Sequence, residues 1–290
     1  MTEAESDFSD FTIAIVGLGL MGGSLALALK RSTAATIIGV DNRQVAVRRA
    51  LEKNAIDCAV DFQTAAQEAQ LIVLATPVST ILKILEEQGD QFQNDTIVVD
   101  LGSTKQEILS AMDKLPEGVQ PIGGHPMCGK ELSGILAADP DLYNGAIFPL
   151  IPLARTSQST SELLQNLIQR IGATPLLFDA ERHDRLVGAI SHLPYLVSVS
   201  LIMAAADIAS EDSLAWSLAA SGLRDTTRLA GSNIQMMRDI ILTNRENISE
   251  MLHRFQNYWD QLIELVESGN EEELTQTLTR AYQDRHGLRP

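Results

Sequence analysis

The sequence predicts an α/β protein: a doubly wound sheet over residues 11–179, followed by an all-helical half over residues 180–290. Three observations carry this prediction. Strand-like and helix-like runs alternate through the first half. The first strand and helix are joined by Gly17-Leu18-Gly19-Leu20-Met21-Gly22. From Glu181 onward no convincing strand pattern remains, and apolar positions step by threes and fours. Strands that alternate with helices build a sheet covered on both faces.

Taken in order, Ile13-Ala14-Ile15-Val16 is the opening strand and runs straight into the glycine turn. An Ala/Leu-rich helix pattern follows at once. Residues 36–41 read as a second strand ending in an acid, Asp41, and residues 43–54 as a helix. Residues 71–76 form a continuous apolar run, as expected of a buried parallel strand. Thr76-Pro77 ends it, and residues 79–88 suit the next helix. Residues 96–100 are a further strand, and Leu101-Gly102-Ser103-Thr104 turns into a helix from Lys105. Residues 119–123 make a short strand ending in Gly-Gly. Residues 146–153 and 174–178 are two later strands, with a helix near 160–171 between them. Its expected capping box is Ser159-x-x-Glu162.

The helical half opens with a stretch, residues 186–206, that has no Asp, Glu, Lys or Arg. Its length would allow a membrane span. It also holds Ser191, His192, Pro194, Ser198 and Ser200, so the preferred reading is a helix buried at a domain or subunit core. Pro194 should kink it. Apolar positions from Ile234 to Val266 mark one amphipathic helix or two in series, with Asn244 in the one gap. Such a run is long for a globular helix and is expected to pack on a second subunit. Ser268-Gly269-Asn270 stops it, and residues 271–284 suit a final helix.

The chain has 290 residues and a net charge of −16. Such acidity argues against nucleic acid or an anionic membrane as partner. An anionic substrate would then need local positive charge. Two cysteines, Cys58 and Cys128, make neither a disulfide framework nor a zinc cluster and suit a reducing cytoplasm. Residues 1–10 are polar and acidic, unlike a signal peptide, and are expected to be a loose lead-in.

The glycine turn is a dinucleotide-binding fingerprint. Gly17 allows the sharp turn, Gly19 lets a pyrophosphate approach the backbone, and Gly22 lets helix and strand pack closely. Leu18, Leu20 and Met21 complete the turn, and the helix N-terminus holds the phosphates. Asp41 follows Gly22 at the distance expected of a carboxylate for the adenosine ribose.

Ligands of doubly wound sheets bind beyond the carboxyl ends of the strands. Thr76 and Pro77 lie at one such end, where small or rigid residues line a nicotinamide pocket. Ser103 lies at another, although Ser103-x-x-Gln106 and Thr104-x-x-Glu107 also read as capping boxes. Gly123-Gly124-His125-Pro126-Met127-Cys128-Gly129-Lys130-Glu131 places a histidine on a rigid open loop, suited to a base or to a structural role. His192, beside the expected kink, reads equally as a site residue or a hydrogen-bonded core histidine. Arg224 and Arg228 share a helical face; they could fork onto a carboxylate or pair with Asp225 and surface acids. His183-Asp184, His253 and His286 read as solvated, though Asp184 adjoins the kinked helix.

Together these motifs resemble the prephenate and arogenate dehydrogenases of tyrosine biosynthesis. The resemblance rests on the glycine turn, Gly124-His125-Pro126-Met127, Ser191-His192-Leu193-Pro194 and Arg224-Asp225-Thr226-Thr227-Arg228, and it runs from Ile13 to about Val266. It implies a Rossmann-type domain followed by an all-helical dimerisation domain in a homodimer. It also implies oxidation of prephenate or arogenate with NAD or NADP and loss of the ring carboxylate as CO2. His125 matches the catalytic histidine that takes the proton from the ring 4-hydroxyl, and Ser103 a serine that orients that hydroxyl near the nicotinamide. Arg228 matches an arginine for a substrate carboxylate, and His192 and Asp225 match pocket positions. Glu131 matches an acid found in some members, and Lys130 departs from the small residue often found there; both, with Gly222, complete the expected substrate set. The length implies no appended regulatory domain, so tyrosine feedback would act at the active site.

A β-hydroxyacid dehydrogenase shares the glycine opening but carries a catalytic lysine in its helical domain, and residues 181–290 contain no lysine. A dinucleotide-sensing protein would not need His125, Ser103 and Arg228 together. Asp41 favours NAD; Arg43, two residues on, could hold a 2′-phosphate and favour NADP. Prephenate is preferred as substrate, with arogenate as the alternative.

Overall fold

The computed structural model of the protein describes residues 8–130 and 132–287. Most of the expected lead-in, residues 1–7, and Glu131 lie outside the described residues. The chain forms two compact units, one ending at Asn244 and one beginning at Arg245.

The first unit opens with β1 (Thr12–Val16), α1 (Leu20–Ser32), β2 (Thr36–Val40) and α2 (Gln44–Glu52). Then come β3 (Cys58–Ala59), α3 (Phe62–Glu68), β4 (Leu71–Leu74), α4 (Val78–Gln88), β5 (Ile97–Asp100), α5 (Gln106–Met112) and β6 (Gln120–Gly124). β7 (Ile147–Pro152), α6 (Gln158–Arg170) and β8 (Thr174–Leu177) finish the sheet. The strand order is β3-β2-β1-β4-β5-β6-β7-β8. Among the described residues only the β6–β7 pair is antiparallel. The order therefore reverses between β1 and β4, where Val16 pairs with Leu74. Such a switch point opens a crevice at the carboxyl ends of the strands.

Alternation along the strands fills both faces. Ile13, Ile15, Ile37, Val73 and Val99 enter one buried cluster; Ala14, Val16, Ile38, Ile72 and Val98 enter the other. This is why these strands read as unbroken apolar runs. β3 and α3 were not legible in the sequence. A two-residue edge strand shows no period, and α3 depends on Asp61, whose carboxylate accepts from the Thr64 N–H at its start.

Three expected capping boxes are corrected. Ser157, not Ser159, caps α6 by accepting from the Thr160 N–H. Neither Ser103 nor Thr104 caps α5. The Asp184 carboxylate does so from a distant helix, accepting from the N–H groups of Lys105 and Gln106 at 2.8 and 2.9 Å. Asp239 treats α4 in the same way, accepting from the Ser79 N–H and hydroxyl. A carboxylate at a helix N-terminus satisfies orphan donors and complements the dipole.

The helical part of this unit has α7 (Ala180–Val187), α8 (Leu193–Glu211), α9 (Leu214–Leu218), α10 (Ser221–Thr227) and α11 (Ile234–Thr243). Between α7 and α8, residues Gly188–His192 form a single π-helical turn. The wide turn and the placement of Pro194 in the first turn of α8 accommodate the missing N–H where the sequence implied a kink. The run Ala180–Glu211 is long and apolar enough to cross a membrane by length and composition, but only 22% of its most apolar window is buried within this chain. Burial at a domain core is therefore not what covers α8: Met203 and Ile208 are 63% and 58% exposed.

The second unit consists of α12 (Arg245–Ser268) and α13 (Glu271–Gly287). Asn244 breaks the long apolar run into α11 and α12, and Gly269 at φ +65° separates α12 from α13.

Candidate active site

The switch-point crevice is built first from glycines. Gly17 has φ +100°, and a Cβ there would lie 2.7 Å from the Ala75 carbonyl oxygen after β4. A Cβ on Gly22 would lie 2.0 Å from the Gly17 carbonyl oxygen, so α1 approaches β1 only because both residues are bare. Gly19, which begins α1, has no atom within 4 Å of where its Cβ would stand. Two of the glycines thus serve packing, and the third leaves open space at a helix N-terminus. The loop after β6 braces this turn: the buried Tyr143 hydroxyl donates to the Met21 carbonyl at 2.8 Å. Leu18 is buried, and Leu20 and Met21 are half-buried in the first turn of α1.

Asp41 stands at the end of β2. Its carboxylate accepts from the Leu18 N–H at 2.8 Å and from the Arg43 N–H and guanidinium. Burial pushes its pKa up, but the hydrogen bonds from Arg43 and Leu18 outweigh this and hold it below the ordinary carboxylate range. Thr76, beside Gly17 at the end of β4, has a buried hydroxyl with no hydrogen-bond partner among the described residues. Pro77 follows it and begins α4. An open cradle at Gly19, an orphaned hydroxyl at Thr76 and an ionised acid at Asp41 fit a dinucleotide along this edge.

The ends of β5 and β6 continue the same edge. Ser103 is half-buried on the turn after β5. Beneath it lies a fully buried ion pair, Asp100 with Lys105, both at 0% exposure. The Lys105 ammonium also donates to the Gly124 carbonyl at 2.7 Å, and Asp100 accepts from the Gly102 and Gly124 N–H groups. Burial pushes the Asp100 carboxyl up and the Lys105 ammonium down. This pair pins the end of β6, the residue before His125. The His125 N–H donates to the Pro149 carbonyl, so the histidine continues the β6–β7 pairing and is not on a free loop.

His125 belongs to a cluster. Its Nδ1 lies 2.9 Å from His183 Nε2, and His183 Nδ1 lies 2.8 Å from Asp184 Oδ1. Burial, then the nearby His183, Lys105 and His192, push the His125 pKa well below its ordinary value. His192 is buried on the π-helical turn, and burial lowers its pKa to about 4. Its Nδ1 lies 3.1 Å from Asn244 Nδ2, which also donates to the Asp184 carbonyl at 2.8 Å. An amide nitrogen only donates, so His192 Nδ1 accepts and Nε2 carries the proton.

His183 and Asp184 correct the sequence reading. They are 2% and 0% exposed, not solvated. The only signal was the adjacency of Asp184 to the charge-free stretch. Lys105, Asp100 and Asn244 were likewise missed as parts of the site. A charged residue after a strand and an asparagine in an apolar gap announce nothing until the fold closes around them. His253 and His286 are exposed, as expected.

The remaining substrate candidates are more open. Gly222 and Asp225 are exposed on α10, and Arg228 is exposed at its C-terminal end, in helical backbone that keeps it one turn from Arg224. This segment packs on α8, where the Ser198 hydroxyl accepts from the Ala230 N–H at 3.0 Å. Lys130 pairs with Asp139 at 2.6 Å. Glu131 lies outside the described residues.

A glycine turn at the switch point, with a histidine cluster farther along the same edge, defines a Rossmann-type nucleotide-binding oxidoreductase. Comparison with known proteins narrows the class. The prephenate dehydrogenase nucleotide-binding domain matches residues 25–177, and the prephenate dehydrogenase dimerization domain matches residues 179–280. The chain belongs to the prephenate dehydrogenase family. Prephenate dehydrogenase of Bacillus subtilis is 35% identical over 281 residues, which cover 96% of this chain and 76% of that protein. Prephenate dehydrogenase from Aquifex aeolicus, solved with hydroxyphenyl propionate and NAD+, superposes with a TM-score of 0.88 at 29% identity, covering 95% of this chain and 97% of the other. Synechocystis arogenate dehydrogenase superposes at 0.82 and 34% identity, covering 95% and 99%.

Proposed function

We propose that the protein oxidises prephenate with NAD and decarboxylates it to 4-hydroxyphenylpyruvate. The observation that carries this reading is His125, an imidazole kept neutral by burial and neighbouring charge, on the strand edge that also bears the glycine turn. A neutral imidazole there is a base at neutral pH. His125 takes the proton of the ring 4-hydroxyl, and Ser103 orients that hydroxyl. The bound nicotinamide dinucleotide supplies the acceptor for the hydride that leaves C4. With C4 now a carbonyl carbon, the C1–carboxylate bond breaks, CO2 departs, and its electron pair closes the aromatic ring. His125 returns its proton to the phenolate oxygen, so no net proton is released.

Arg228 holds a substrate carboxylate, which an acidic chain would otherwise repel. His192 offers its Nε2 proton to the same substrate. Asp225, Gly222, Lys130 and Glu131 complete the pocket. The ionised Asp41 favours a ribose 2′-hydroxyl over a 2′-phosphate, since Arg43 is already engaged by its carboxylate. Gly17, Leu18, Gly19, Leu20, Met21, Gly22, Thr76 and Pro77 line the cofactor. We place the boundary between nucleotide-binding and substrate parts at residues 179 and 180, a reading supported by the matched ranges 25–177 and 179–280. The exposed apolar face of α8 and the matched dimerization domain support a cytoplasmic homodimer.

Arogenate is the second reading, favoured by the 34% identity to an arogenate dehydrogenase. Turnover with prephenate or arogenate, each with NAD or NADP, decides between them by the absorbance of the reduced cofactor. Activity with prephenate and NAD is expected. Turnover of arogenate alone would replace the substrate assignment, and no turnover with intact cofactor binding would overturn the reading.

A further inference from the structure

We propose that His183 and Asp184 are positioning residues that hold His125 in one tautomer, with its proton on Nδ1 and its lone pair on Nε2. This rests on the assignment of His125 as the base. The argument begins at Asp184, which is completely buried. Oδ2 accepts from the Gln106 N–H, and Oδ1 accepts from the Lys105 N–H and faces His183 Nδ1. Backbone N–H groups only donate, so both oxygens act as acceptors, and a carboxyl beside an imidazole yields its proton to the more basic ring nitrogen, so the group is a carboxylate. His183 Nδ1 must then carry a proton. In the neutral ring, its Nε2 is an acceptor, and 2.9 Å away stands His125 Nδ1. That nitrogen must donate, and the lone pair of His125 falls on Nε2. Two nitrogens and one carboxylate thus decide which atom of a third ring can take a proton.

The groups that face His125 fit this order. Lys105 and His192 surround it along with His183, and burial with the Lys105 ammonium disfavours a positive ring. His192 is neutral well below pH 7. The carboxylate of Asp184 opposes them and reaches His125 only through His183. When His125 accepts a proton on Nε2, both its nitrogens bear hydrogen, and the new charge is felt at Asp184 through the Nδ1–H bond to His183. Asp100 is already matched by Lys105. The wrong tautomer would present an N–H to the substrate hydroxyl and could not accept its proton.

The test uses the full chain with histidine-selective 15N labelling. Long-range proton–nitrogen correlations report the tautomer directly, and His125→Asn identifies the signals of His125. Wild type should show the Nδ1–H form of His125. His183→Phe keeps a ring but no acceptor; it should mix the tautomers and lower kcat by about 10²–10⁴, the usual worth of a general base, with KM little changed. His183→Gln, whose amide oxygen can accept from Nδ1–H, should recover much of kcat, which a purely packing role would not give. An Nε2–H tautomer in wild type, or full kcat in His183→Phe, overturns the proposal. A chain that turns over neither substrate yet shows Nδ1–H on His125 would sink the functional reading and leave the relay standing.

Discussion

Replacing Lys105 by Met tests the ion pair beneath His125 on two axes. Both charges are fully buried, so the variant leaves the Asp100 carboxylate in a dry site. Removing one partner of a buried pair costs about 3–5 kcal/mol. Asp100 keeps its bonds from the Gly102 and Gly124 N–H groups, which puts the expected loss at the low end, about 3 kcal/mol. At about 2–3 °C per kcal/mol, Tm should fall by about 6–9 °C. The double variant Asp100→Asn with Lys105→Met should recover part of this, because no uncompensated charge remains. The second axis is the pH profile. Burial, His183 and then Lys105 lower the His125 pKa. Loss of the cation raises it, so the acid limb of kcat/KM should move to higher pH. Thermal melts and a pH–rate profile with prephenate and NAD measure both. Unchanged stability, or an acid limb moved to lower pH, would refute the reasoning.

Other predictions follow from single contacts. His125→Asn should lose about two to four decades of kcat with cofactor affinity kept; a near-normal kcat removes it from the mechanism. Arg228→Ala should raise KM far more than Arg224→Lys, and equal effects in steady-state assays would remove Arg228 from substrate binding. Gly19→Ala should weaken cofactor binding at unchanged Tm, because a methyl there meets only open space. Gly22→Ala should lower Tm as well, because its methyl meets the Gly17 carbonyl; calorimetry with and without NAD separates the two.

The sheet was legible because its strands are buried on both faces and read as apolar runs bounded by turns. The glycine turn was legible because three backbone demands fall at fixed spacing. The long helices showed their period, and Asn244 marked the one gap in it, although one helix and two in series read alike. What stayed hidden depends on contacts distant in sequence. Asp184 caps a helix through the N–H groups of Lys105 and Gln106, 79 and 78 residues earlier, and nothing local distinguishes it from a surface acid. The local alternative, a capping box at Ser103 or Thr104, was chemically sound and lost to that carboxylate. His183 looked solvated because its neighbours in sequence are charged; its neighbours in space are His125 and Asp184. The exposure of α8 within one chain was also invisible, since composition reports that a helix wants cover and not which molecule gives it.

The caps on α4 and α5 bear on modularity. Both helices begin at the crevice edge, and both take their N-terminal acid from helices that follow the sheet: Asp239 on α11 and Asp184 on α7. A sheet cut out at residue 179 would lack both, with orphan amides at two adjacent helix starts. The nucleotide-binding half is therefore not a free-standing part that could be exchanged between relatives. A chimera must transplant an acid at 184 and at 239 along with the sheet. Amide exchange at Gln106 and Ser79 should slow only when both segments are present, so that the two halves open as one cooperative unit.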